Sequence, residues 1–164
     1  MDERARNGGV DEVPVPGPGR LWLCGKHFVG PDPEEALART GAGSIVCLNE
    51  VEELAARYPA YVAWLEANGP VRATWFPVPD LHAPAVDEVG PLLDAIAARL
   101  SAGEGVLVHC GAGVGRAGTI AAAVLMRLGL SRADALAHVA ASRPTAGPQA
   151  AIQDDLLAAL DARQ

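Results

Sequence analysis

The segment His109-Cys110-Gly111-Ala112-Gly113-Val114-Gly115-Arg116-Ala117-Gly118-Thr119 constrains this chain more than any other. It follows the apolar run 105–109 and opens into an alanine-rich stretch of helical character, so it must be a tight turn from a strand into a helix. Three glycines at alternate positions let the backbone curl, including into conformations with φ > 0. Such a turn aims several backbone N–H groups and a helix N-terminus at one point, which is an anion site. Arg116 adds a planar fork able to grip two oxygens of a phosphate. A thiol at the mouth of that loop, Cys110, sits in positive potential, which favours its thiolate. One short segment thus supplies a nucleophile, a phosphate cradle formed by Gly111, Ala112, Gly113, Val114, Gly115 and Arg116, and a clamp for developing charge.

Three other readings of the loop are weaker. Gly113-x-Gly115-x-x-Gly118 matches a dinucleotide-binding fingerprint, but the second strand with an acidic end that this fingerprint needs about 20 residues on is missing, because the chain stays helical there. The nucleoside-triphosphate loop pattern fails for want of a lysine before Thr119. A buried structural cysteine fits poorly with three glycines and an arginine beside it.

The rest of the chain reads as strands alternating with helices, hence an α/β domain with a central mixed, mostly parallel sheet flanked by helices. Strands are expected at residues 21–24, 44–48, 71–78 and 105–109. Helices are expected at 34–39, with Asp32 as cap and Pro33 in the first turn, at 51–57, 61–67, 86–100, 117–128 and 149–162, and from Ser131 to residue 142 with Ser131 and Asp134 as an approximate capping box. Residues 1–19, with the Pro/Gly run 14–19, are expected to be a flexible N-terminal tail, and residues 20–164 the folded domain.

Composition narrows the function. A formal net charge of −7 over 164 residues argues against nucleic acid and anionic membranes as partners, since both demand basic patches. Three cysteines without a CxxC pair point to neither a disulfide framework nor a zinc site, and the four histidines lack ligand spacing. No metal or cofactor is expected. No apolar run reaches the ~18 residues of a membrane helix, and the start of the chain does not read as a signal peptide. A cytoplasmic monomer is expected. The abundance of Ala, Gly, Arg and Pro and the near absence of Lys point to a high-GC bacterium.

The His-Cys-x5-Arg arrangement, His109 and Cys110 to Arg116, resembles the signature of the protein tyrosine phosphatase superfamily, in particular its small dual-specificity-like members; by element order the resemblance spans most of residues 20–160. It implies a phosphocysteine intermediate on Cys110, phosphoryl binding by Arg116, and an orienting role for His109. It also implies a general acid on a mobile segment. Asp80, thirty residues before Cys110 in a proline-framed loop, is the candidate, with a turn cap as the plainer alternative. Asp87 is the runner-up, better explained as a helix cap, and His82 is expected to be an exposed loop residue. Asn49, at the end of the buried strand, resembles an asparagine that props the phosphate loop, with a turn residue as the equal alternative. Gln149 and Gln153 resemble glutamines that place the hydrolytic water, provided that their shared helical face turns inward.

One departure stands out. Related phosphatases carry Ser or Thr after the arginine to hydrogen-bond the sulfur, and this chain has Ala117. Cys47 is readable either as a resolving thiol for oxidised Cys110 or as a small apolar strand residue, the latter favoured. The implied function is hydrolysis of phosphomonoesters: phosphotyrosine in proteins first, phosphoserine and phosphothreonine next. A phosphoinositide, nucleotide or other small-molecule phosphatase ranks lower because the loop carries no lysine. A phosphate-binding module, or a thiol enzyme of sulfur or arsenate chemistry, completes the alternatives.

Overall fold

The computed structural model describes residues 9–163. Five strands form one sheet in the order β1-β2-β5-β3-β4: β1 Val10–Val13, β2 Arg20–Gly25, β3 Ser44–Cys47, β4 Ala73–Trp75 and β5 Gly105–Cys110. β1 pairs with β2 antiparallel and every other pairing is parallel. The helices are α1 Lys26–Val29, α2 Pro33–Thr40, α3 Pro59–Asn68, α4 Val86–Ser101, α5 Gly115–Arg127, α6 Arg132–Ser142 and α7 Ala151–Ala162.

β5 occupies the middle because its run Val106-Leu107-Val108 is apolar on both faces, as a strand covered on both sides requires. Successive side chains point to opposite faces. Val106, Val108 and Cys110 enter the core beneath α4–α7, whereas Leu107 enters the core beneath α1–α3. Leu93 of α4 and Leu65 of α3 lie on these two sides, each at most 2 % exposed; burying one such side chain contributes about 1.5–3 kcal/mol. β5 ends between two parallel neighbours, with Cys110 opposite Gly25 and with His109 opposite both Cys24 and Cys47. The loop that follows therefore starts at the carboxyl edge of the sheet, where ligands of open α/β folds bind.

Local rules hold at several ends. Asp32 Oδ1 accepts the Glu35 N–H at 3.1 Å, Ser131 Oγ accepts the Asp134 N–H at 3.1 Å, and Pro33 and Pro59 sit in the first turns of α2 and α3. Three expectations are corrected. The tail expected over 1–19 gives way from Val10 on to β1, an edge strand held by β2 and by the Arg143 guanidinium, whose Nη1 meets Asp11 Oδ2 at 2.9 Å; residues 1–8 lie outside the described residues. The Pro/Gly run is only the connection between the two strands. The helix expected at 51–57 is a single 3₁₀ turn, Val51–Glu53, opened by a capping box in which the Glu53 carboxylate accepts the Glu50 N–H at 2.8 Å; the chain does not go on as a regular helix, and Tyr58, ahead of Pro59, lies outside the α region. The strand expected at 71–78 is short. Beyond Trp75 only alternate residues can donate past the prolines, as Phe76 N–H does to Cys47 O and Val78 N–H to Leu48 O.

The chain between α6 and α7 crosses α5 at Gly118. A Cβ there would lie 2.3 Å from Gly147 N, and the Gly147 N–H donates to Val114 O at 3.0 Å. Gly118→Ala is expected to cost roughly 1–3 kcal/mol through overpacking, lowering the thermal midpoint by about 2–4 °C for each kcal/mol. Thermal unfolding followed by circular dichroism checks this.

Candidate active site

The loop after Cys110 owes its shape to what holds its carbonyls. Lys26 N–H donates to Gly111 O at 2.9 Å. Arg143, only 1 % exposed, donates from Nη2 to Ala112 O at 3.0 Å and from Nε to Gly113 O at 2.9 Å. N–H and C=O of a trans peptide point in opposite directions, so anchoring carbonyls 111, 112 and 113 on one side turns the N–H groups of 112, 113 and 114 to the other. Gly113 takes φ +74°, and a Cβ on it would lie 2.4 Å from the Cys24 carbonyl, so only glycine lets the loop settle on β2. α5 begins at Gly115, earlier than expected, which places Arg116 in its first turn and adds the helix N-terminus to the same anion site.

Cys110 lies at the floor of this loop, 2 % exposed, and its Sγ accepts the Ala117 N–H at 3.4 Å. Ala117 is itself fully buried and offers no hydroxyl. Thr119 does not replace it, since its Oγ1 donates to Gly115 O at 2.7 Å within the helix. The Arg116 guanidinium is fixed on both terminal nitrogens. Nη1 donates to Glu53 Oε2 at 2.8 Å and to Val78 O at 2.7 Å, and Nη2 donates to Glu53 Oε1 at 2.8 Å. This fork-on-fork pairing sets the plane of the guanidinium. Burial by itself would raise the Glu53 carboxyl; the Arg116 pair, the Glu50 N–H and the Asn49 amide outweigh it and hold Glu53 below the usual carboxylate range.

Asp80 lies at the rim of the same guanidinium, with Oδ1 3.5 Å from Arg116 Nη2 and its side chain 76 % exposed. Its loop is tightly folded, with Leu81 N–H donating to Asp80 Oδ1 and the His82 ring to Asp80 O at 2.9 Å. His82 is exposed. Asp87 lies elsewhere, paired with Arg163 at 2.9 Å, which removes it from the candidates for the acid.

Asn49 is fully buried, but it reaches the loop through Glu53, donating from Nδ2 to Oε1 at 3.0 Å; it steadies the partner of Arg116. Gln149 precedes α7, so it and Gln153 do not share a helical face; Gln153 Oε1 instead accepts the Gln149 N–H at 2.8 Å, and its Nε2 donates to His82 O at 3.1 Å. Both amides still converge, within 3.4 and 3.5 Å of where a Cβ on Gly115 would stand. His109 points into the layer opposite the thiol. Its Nδ1 lies 3.3 Å from Cys110 O and its Nε2 2.6 Å from Tyr61 Oη. A carbonyl only accepts, so the proton belongs on Nδ1 and the tyrosine donates to Nε2. Burial, the largest influence, and the Arg116 charge pull the His109 pKa down to about 4. Cys47 shares the face of His109, with its thiol pushed up to about 12 chiefly by burial. The sheet stands between it and Cys110, which disallows a disulfide without backbone movement.

Glu53, Arg143, Tyr61 and Lys26 were not singled out by sequence reasoning. The one usable signal was the spacing Asn49-x3-Glu53 after a buried strand, which lets both side chains meet over one turn.

A family described as the Swiss Army Knife protein, DSP-PTPase phosphatase domain, matches residues 18–158. The chain belongs to this DSP-type phosphatase family. Among solved structures, the chain is similar to Tk-PTP in its active form, at 28% identity over 93% of this chain and 97% of that one, with a TM-score of 0.72. It is similar to human DUSP28 at 26% identity over 94% and 93%, with a TM-score of 0.69. Kinase associated phosphatase shares the fold alone, at 18% identity over 95% of each chain and a TM-score of 0.78. The chain is thus a cysteine-based phosphatase by family. Among the described residues no helix is long and apolar enough to cross a membrane.

The His109 geometry carries a pH dependence. The histidine ionises near its ordinary pKa of about 6.5 when unfolded and near 4 when folded. Between those values the unfolded chain binds a proton that the folded chain refuses, so stability falls as pH drops from about 6.5 to 4, by roughly 3 kcal/mol in total. Urea unfolding across that range should show the slope, and His109→Asn should flatten it by that amount.

Proposed function

We propose that the chain hydrolyses phosphomonoesters through a phosphocysteine on Cys110, with phosphotyrosine in proteins as the first substrate class and phosphoserine and phosphothreonine after it. The carrying observation is that one guanidinium joins the parts: Arg116 closes the loop that cradles Cys110 Sγ and stands 3.5 Å from Asp80. Phosphate oxygens take the loop N–H groups and the open edge of Arg116. The sulfur attacks phosphorus in line with the leaving oxygen; the S–P bond forms, the P–O bond breaks, and Asp80 delivers its proton to the departing oxygen. Water then attacks the phosphocysteine, Asp80 takes up its proton, and the thiolate leaves. Gln149 and Gln153, gathered over Gly115, place that water. A nearly buried thiol favours the long reach of a phosphotyrosyl group over a short phosphoseryl one. The family assignment and the uncharged side chains at 112 and 114 support an ester phosphatase over a reader of polyphosphorylated headgroups, and three free cysteines suit a reducing bacterial cytoplasm.

Release of phosphate from para-nitrophenyl phosphate tests the reading. Cys110→Ser should abolish it, and Asp80→Asn should lower kcat by about 10²–10⁴-fold while leaving phosphate binding in place. Full activity in Cys110→Ser would overturn the assignment.

The sulfur receives one N–H and no hydroxyl, so expulsion of the thiolate from phosphocysteine is under-stabilised. Ala117→Ser should therefore raise kcat, with KM rising in step and kcat/KM little changed, because substrate binding and the first step are untouched. Rapid-quench kinetics should show less accumulated phosphoenzyme; unchanged single-turnover and steady-state rates would refute the role.

A further inference from the structure

Two clefts flank the segment that carries Val78 and Asp80. One, of about 510 Å³, is lined by Glu50, Val51, Glu52, Trp75 and Pro77. The other, of about 500 Å³, continues from Trp75 and Pro77 past His82 to Glu88. No lysine or arginine is among the described residues lining either one. The first cleft borders the candidate site, and no hydrogen bond or ion pair joins the Glu52 side chain to Cys110, Arg116 or Asp80 among the described residues. Its Glu50–Glu52 wall is the turn that delivers Glu53 to Arg116, and its Trp75 ring is pinned by an Nε1 bond to Asn49 O at 2.8 Å. Val51 stands 40% exposed, which leaves an apolar patch between two carboxylates.

We infer that this cleft takes a lysine or arginine side chain flanking the phosphorylated residue of a protein substrate, so that the enzyme selects basic phosphopeptides. This rests on the phosphatase reading above. Charge complementarity argues for it: a cationic head meets Glu50 and Glu52, its methylene stem covers Val51 and Pro77, and the held indole offers a face for cation–π contact. An acidic flank or a polyphosphorylated headgroup would bring like charge against the same two carboxylates. The cleft adjoins the loop through Glu53, whose Oε1 lies 3.8 Å from where a Cβ on Gly111 would stand.

The test compares kcat/KM for phosphotyrosyl peptides identical except for arginine, alanine or glutamate on either side of the phosphotyrosine. A preference for arginine over alanine of roughly fivefold is expected, the size of one or two partly exposed ion pairs. It should shrink in 1 M salt, where the screening length falls to about 3 Å. Glu52→Lys should abolish or invert the preference while hydrolysis of para-nitrophenyl phosphate stays unchanged, which also reports that the variant is folded. Equal rates for the three peptides or a preference for glutamate would overturn the inference and leave the phosphatase reading standing; faster cleavage of a phosphoinositide headgroup would overturn the inference together with the protein-substrate part of that reading. Loss of para-nitrophenyl phosphate hydrolysis in the unaltered protein would instead strike at that reading, and the inference would fall with it.

Discussion

The arrangement depends on carbonyl groups being pulled outward. A loop of small residues has no intrinsic reason to point its N–H groups at one centre, and mutual repulsion of aligned dipoles opposes it. Here the opposing force comes from a buried arginine and a main-chain amide outside the loop. Arg143 spends two of its nitrogens on the carbonyls of Ala112 and Gly113 and the third on β1, and Lys26 N–H takes Gly111 O. Removing one partner of such a buried charge costs about 3–5 kcal/mol, so the cradle is set before any anion arrives. Preorganised donors of this kind need no rearrangement as charge develops.

The second arginine is organised on the same plan with an acid in place of carbonyls. Glu53 is bound to Arg116 at both oxygens, and its own place is fixed by Asn49 and by the Glu50 N–H. Two shells of hydrogen bonds therefore stand behind one guanidinium. The exposed Asp80 is held by its own loop and by one edge of that guanidinium, a looser setting that suits the proton-transfer role proposed for it.

Much of this was legible in the chain. The strand-loop-helix pattern around Cys110, the alternation of strands and helices, and the caps at Asp32 and Ser131 follow from spacing and side-chain chemistry, because they are local. What escaped was non-local. Arg143 looks like an ordinary residue before a proline, and nothing in its neighbourhood announces that it reaches residues 112 and 113 and a strand more than a hundred residues earlier. Likewise Val10–Val13 is too short and too polar to declare itself a strand; only the open edge of β2 makes it one. Glu53 lay within a stretch whose helical periodicity was real, but the turn that it caps is cut short before Pro59, where Tyr58 leaves the α region. Gln149 and Gln153 were paired by helical spacing and met by another route, a side-chain cap.

Neighbouring residues in an extended chain face opposite ways, and His109 and Cys110 inherit that rule at the end of β5. The thiol belongs to the layer beneath α4–α7, while the imidazole is anchored to Tyr61 in the layer beneath α1–α3. The peptide unit joining them is therefore gripped from both halves of the molecule at once, like a hinge pin seated in two plates. A change in how either plate is stacked is felt at the sulfur without any residue near it being altered, so drift in sequence far from the catalytic mouth has a direct mechanical route to tuning reactivity.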